Sequence, residues 1–152
     1  MKNFEKLNSF RNGEQNQEEL ISELKAWINE MLETADKMLD RVPETVLRNI
    51  AVCGEYVDLN NAYSNKNGQR YTMSYCPDGS DEVVVEANDE EVQKLEAFRN
   101  FMLKRYGFDW SYTQIYFDEK MIHIASDAIN ENATQILLDH LEEAFPDIEI
   151  DI

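Results

Sequence analysis

Basic residues are scarce in this chain. Of 152 residues only 14 are Lys or Arg, against 31 Asp and Glu, which leaves a formal net charge of −17. From Met121 to Ile152 there is no Lys or Arg at all. A mean field of that sign repels phosphate, so direct binding to bare nucleic acid or to an anionic membrane surface is not expected. Glycine is thin too. The five glycines fall into neither a GxGxxG nor a GxxxxGK[ST] pattern, so no phosphate cradle is legible. A Gly-x-Ser-x-Gly elbow is missing. The two cysteines, Cys53 and Cys76, lie far apart without a Cys-x-x-Cys motif. They read as reduced thiols of a cytoplasmic protein, with a single disulfide between neighbouring strands left open on geometry. No apolar run approaches the ~20 residues that span a bilayer. The start, Met1 to Leu7, is broken by charge and has no apolar core, so it does not read as a signal peptide.

The chemistry-bearing residues are as sparse. His123 sits in a strand-like run between Ile122 and Ile124 and should face away from both, and His140 borders an apolar helical stripe. Two His and two Cys scattered in this way lack the ligand spacing of a zinc site. Asp78 to Glu82 lacks the alternating ligands of a calcium loop and reads as a hairpin turn. Carboxylates are so many that a pair drawn for acid–base work carries no information without a shifted pKa. The expectation is a protein that is not an enzyme and holds no metal or cofactor.

What is present is organised around Gln17 to Val42. Its apolar residues, from Leu20 and Ile21 through Leu24, Ile28, Met31 and Met38 to Val42, step by one, three or four, the period of one helical face. At about 1.5 Å per residue that helix runs roughly 35–40 Å. Asn16 with Glu19 reads as its capping box, and Pro43 ends it near Asp40 or Arg41. Residues 1–15 read as a loosely docked segment in which Phe4, Leu7 and Phe10 make one helical turn. Pro43 opens a short helix to about Asn49. Three strands are expected next: Ala51 to Leu59 with a bulge at Gly54, Arg70 to Cys76, and Glu82 to Ala87. Asn88 to Glu91 is a second capping box, opening a helix that Gly107 stops after Tyr106. Strands from Trp110 to Phe117 and Met121 to Ala125 follow, then a helix from Asn130 to Phe145 with Ala133, Ile136, Leu137, Leu141 and Ala144 inward. The alternating Ile148 to Ile152 closes the chain as an edge strand. The order predicts one α+β domain over 1–152: a mostly antiparallel sheet of five or six strands, packed on one face by the long helix and two shorter ones.

The acids gather in three places. Glu19, Glu23, Glu30 and Glu33 form a stripe on the long helix; Asp78 to Glu91 holds seven acids and no base; and the basic-free tail carries Glu142 and Glu143 among eight. Acids held on rigid elements resemble in spacing the phosphates of a duplex strand, one per ~3.4 Å, and preordered charge loses little entropy on binding. The reading is therefore a small acidic inhibitor that binds a basic partner, such as a nuclease or other nucleic-acid-binding protein, in the manner of an anti-restriction or anti-CRISPR nucleic-acid mimic. Its expected contact residues are Glu19, Glu23, Glu30, Glu33, Asp81, Glu82, Glu142 and Glu143. Three alternatives stand beside it. One is an immunity protein that neutralises a toxin through an acidic and aromatic patch, with Trp110, Tyr112 and Tyr116 on one strand face. Another is self-association through the long helix, and the last is an enzyme whose site sequence does not display.

Overall fold

The computed structural model describes residues 2–12, 14–53, 56–64, 68–75, 83–116 and 120–152, and the side chains of all these except 9–12, 14–16, 53, 60–64, 68–70 and 75. Five helices and six strands follow one another along the described chain: α1 (Lys2–Asn12), α2 (Glu14–Leu39), α3 (Glu44–Cys53), β1 (Tyr56–Ser64), β2 (Gly68–Tyr75), β3 (Val83–Glu86), α4 (Asp89–Tyr106), β4 (Phe108–Tyr116), β5 (Met121–Ala128), α5 (Glu131–Ala144) and β6 (Glu149–Asp151). The strands form one sheet in the order β3-β2-β1-β4-β5-β6, antiparallel throughout except for the parallel β5–β6 pair. The fold is α+β, with a single six-stranded sheet.

The apolar periods explain the layering. Leu24, Ile28, Met31 and Met38 of α2 are almost wholly buried, in one cluster with Leu95, Phe98 and Met102 of α4 and Leu137 and Leu141 of α5. The same cluster takes one side of every strand from β2 to β5, including Met73, Leu59, Phe108 and Ile124. A smaller cluster, Val42 with Ile50, joins α3 to Val83 and Val85 of β3 on that side. Strands bury one face because side chains alternate with period two, so one set of residues meets the helices and the other is left on the opposite face.

Two ends of α4 are set by local chemistry. Asn88 accepts from the Glu91 N–H at 2.9 Å while the Glu91 carboxylate accepts from the Asn88 N–H at 3.0 Å, the reciprocal box that the spacing predicts. Gly107 follows Tyr106 with φ 69°, and its N–H bonds back to Leu103. A Cβ there would lie 2.7 Å from the Cδ1 end of the exposed Ile129 side chain, which would have to shift, and the left-handed backbone is what calls for glycine.

Several expectations are corrected. Residues 2–12 are a full helix rather than one turn, and its Phe4 and Leu7 are mostly exposed instead of docked. The long helix begins at Glu14, so Asn16 lies inside it and does not cap it. Ala51, Val52 and Cys53 continue α3 rather than opening the strand, which is described from Tyr56. These three residues follow a run with Val46, Leu47 and Ile50 on one helical face, and that period carries on past the point where β-prone composition suggests a strand. Ile136 is exposed, so the inward stripe of α5 is Leu137, His140, Leu141 and Ala144. The expected bulge at Gly54, the hairpin turn read at Asp78 to Glu82, and the positions of Cys76 and Phe117 lie outside the described residues.

Candidate functional surface

The basic-free tail folds into one unit, β5, α5 and β6. Asn130 caps α5 by accepting from the Ala133 N–H at 2.9 Å. Burying Leu137, His140, Leu141 and Ala144 turns Glu131, Asp139, Glu142 and Glu143 outward. Those four carboxylates spread along about 18 Å of helix axis at 1.5 Å per residue. Asp127, Asp147, Glu149 and Asp151 come from the strands and the turn beside them. All eight acids are exposed, and the unit holds two histidines, His140 buried on α5 and His123 on β5. The His123 Nδ1 stands 2.8 Å from Asp151 Oδ2, although without hydrogen-bond alignment.

The fold sets α2 against this unit and against α4. Lys25 of α2 lies 5.9 Å from the ring centre of Phe145 at the end of α5, and Trp27 of α2 stacks on Phe101 of α4 at 5.9 Å. Glu19, Glu23 and Glu33 are exposed along α2. Glu30 is not available in the same way: its carboxylate is half-buried and pairs with Lys94 of α4 at 2.9 Å. Hydrogen bonding to Glu30 foremost, against some desolvation, raises the Lys94 pKa. The four-acid stripe is thus three exposed carboxylates and one that links two helices. Asp81 and Glu82 lie outside the described residues.

A second surface is the sheet face turned away from the helices. The strand registers line up Ser74, Asp58, Gln114, His123 and Asp151 as one polar row across β2, β1, β4, β5 and β6. Tyr112 flanks the row, its ring 5.8 Å from that of His123, and Tyr56 and Tyr116 meet at 5.6 Å on the other side. Trp110 does not join them. The register shifts between Trp110 and Tyr112, so Trp110 and Thr113, three residues apart, both point to the helices. There Trp110 is 1 % exposed, stacks 6.1 Å from Tyr71, meets Phe98 edge-on at 5.3 Å, and donates its Nε1 proton to Thr113 Oγ1 at 2.8 Å. A bulge adds one residue and reverses the alternation on which a shared face with Tyr112 and Tyr116 depends.

Two polar arrangements escape sequence reading. Arg41, just past α2, donates to both carboxylate oxygens of Glu91, with Nη1 to Oε2 at 3.0 Å, and to the Glu86 carbonyl at 2.9 Å. Burial pushes the Glu91 carboxyl up, but Arg41 and the Asn88 N–H outweigh it and the net shift is downward. The Tyr106 hydroxyl lies 2.8 Å from His140 Nδ1 in the buried seam between α4 and α5. Burial lowers the His140 pKa despite Glu143 and Asp139, and burial foremost, with Glu23, raises that of Tyr106. The direction of this bond follows the imidazole tautomer, because either the phenol O–H or an Nδ1–H can donate. The signal for the first pair was an unexplained cation after a helix. For the second it was a His and a Tyr each on an apolar stripe. Neither names its partner.

Among the described residues no group of three His, Cys, Asp or Glu is placed to hold a metal ion, and no helix is long and apolar enough to cross a membrane. What the fold defines is a surface-bearing α+β scaffold: an acidic helical side and a polar–aromatic sheet face. Comparison with protein-family models, curated proteins and solved structures finds no match.

Proposed function

We propose that this protein binds a basic surface of another protein, one shaped to hold nucleic acid, and blocks it. The observation that carries the reading is the unit from Met121 to Ile152, which exposes eight carboxylates without one Lys or Arg. Packing of α2 against α5 supports it by making neighbours of two acid-bearing helices. Charges fixed on helices and a strand bind a cationic groove without first being ordered. Long-range attraction speeds encounter and makes it sensitive to salt. Glu142 and Glu143 of α5 and Glu19, Glu23 and Glu33 of α2 are the contact residues. Glu30 supports the surface through Lys94. The seam of α2 is packed in the chain's own core, so the reading draws on no second copy.

The test is capture of partners on the immobilised protein at about 50 and about 300 mM salt, with bound proteins identified by mass spectrometry. A nucleic-acid-binding protein, released by salt and by duplex DNA, is the expected result. Glu142→Gln/Glu143→Gln should slow its association, as should Glu19→Gln/Glu23→Gln/Glu33→Gln. Capture that neither salt, DNA nor these substitutions weaken overturns the reading. The polar–aromatic sheet face favours a second reading, the neutralisation of one toxin. It predicts a single salt-resistant partner whose binding is lost with Tyr112→Ala or Tyr116→Ala.

A further inference from the structure

A cleft of about 560 Å³ opens between α2, the ends of β1, β4 and β5, and the segment from Phe145 to Ile148. Its floor is apolar, with Val57, Ile115 and Ile122 from the sheet and Leu32 and Leu39 from α2. The volume falls within the range of roughly 300–1,000 Å³ in which small-molecule sites occur. Among the described residues its charged lining is of one sign: Glu33 and Asp36 line it from α2, and no Lys or Arg does. They lie three apart, and with Leu32 and Leu39 they fall on one side of the helix. The Phe145 ring completes the wall, and Tyr116 at the end of β4 borders the cleft. The Phe145 ring already has an ammonium, that of Lys25, 5.9 Å from its centre, which is the approach by which aromatic faces attract cations.

An apolar floor, two carboxylates and one aromatic ring are complementary to one ligand chemistry. We propose that this cleft binds an amphiphilic cation, an apolar chain carrying an ammonium head, with the chain against Ile115 and Ile122 and the head between Glu33, Asp36 and the Phe145 ring. The cleft shares Glu33 with the proposed protein contact, but its test needs no protein partner. A fatty carboxylate of the same length meets two like charges in the cleft, and a bare cation leaves the apolar floor wet.

Isothermal titration of the full chain with octyltrimethylammonium, below its micelle concentration, tests this. Saturable one-to-one binding is expected, with octanoate and tetramethylammonium each at least tenfold weaker. Glu33→Gln/Asp36→Asn should weaken the cation at least tenfold, and Leu32→Arg, which sets a cation in the cleft, should abolish binding. Glu5→Gln/Glu96→Gln removes the same charge elsewhere and should leave affinity within twofold. Absent or unsaturable binding overturns the proposal, and so does equal binding of octanoate or of tetramethylammonium. Affinity that follows total charge rather than the cleft residues also overturns it. Should Leu32→Arg fail to fold by circular dichroism, the two charge-neutralising variants decide.

Discussion

Replacing Arg41 by Ala removes a clamp that ties the exit of α2 to the entry of α4, more than forty residues later in the chain. The guanidinium makes two bonds to a Glu91 that is only 6 % exposed and a third to the Glu86 carbonyl. Hydrogen bonds to charged groups contribute about 1.5–3 kcal/mol each where the partner left behind is dry. Here the Arg41 side chain is 38 % exposed, so water replaces part of what it donates, and Glu91 keeps the Asn88 N–H. The expected cost is about 1–3 kcal/mol in all, or roughly 2–10 °C in Tm for a chain of this size. The pH dependence separates this account from simple loss of packing. Glu91 has a folded pKa below that of a free carboxyl. Its stabilisation is therefore complete above the ordinary glutamate range, about 4.3, and is lost as pH falls through the lower folded value. The gap between wild type and Arg41→Ala, measured by urea unfolding from pH 7 down to pH 3, should narrow towards zero at the acid end. The self-repulsion of a net −17 chain also changes over that range, but it is nearly common to both proteins and drops out of the difference. In a double-mutant cycle with Glu91→Gln the two costs should fall short of additive. A gap under about 0.5 kcal/mol at pH 7, or one that stays constant to pH 3, refutes the reasoning.

The remaining predictions test other named contacts. Gly107→Ala puts a Cβ into Ile129 and a side-chain-bearing residue at φ 69°, and should cost about 1–2 kcal/mol by denaturant titration. Ile129→Ala in the same chain should recover the steric part only. The folded pKa of His140 lies below the ordinary value, so stability should be full above about pH 6.5 and fall as pH drops below it. His140→Leu should flatten the stability profile between pH 5 and 7, and a profile unchanged by that substitution would contradict the assignment. Thr113→Val leaves the buried Trp110 Nε1 proton without its 2.8 Å acceptor and should lower stability by about 1–2 kcal/mol with a shift in Trp fluorescence.

Helices α4 and α5 were readable to within a residue because each carries its stop and start chemistry locally, Asn88 with Glu91, Gly107, and Asn130. The core face of α2 was readable because its apolar period runs unbroken from Leu24 to Met38. The class followed from the order of these periods, and the acidic character followed from composition. What local sequence does not carry is whatever depends on a distant neighbour. Asn16 lies inside α2 despite a good capping pattern there. The bulge beside Ser111 sends Trp110 inward, and no residue type there announces it. Lys94 claims Glu30 out of its stripe, and Arg41 and Glu91 meet although fifty residues separate them. The polar row from Ser74 to Asp151 exists only because five strands stand in one register. Periodicity and caps are written over three or four residues and so are legible in the chain alone. Pairing, register and the cleft beneath α2 are set by how whole elements pack, and only the tertiary structure decides them.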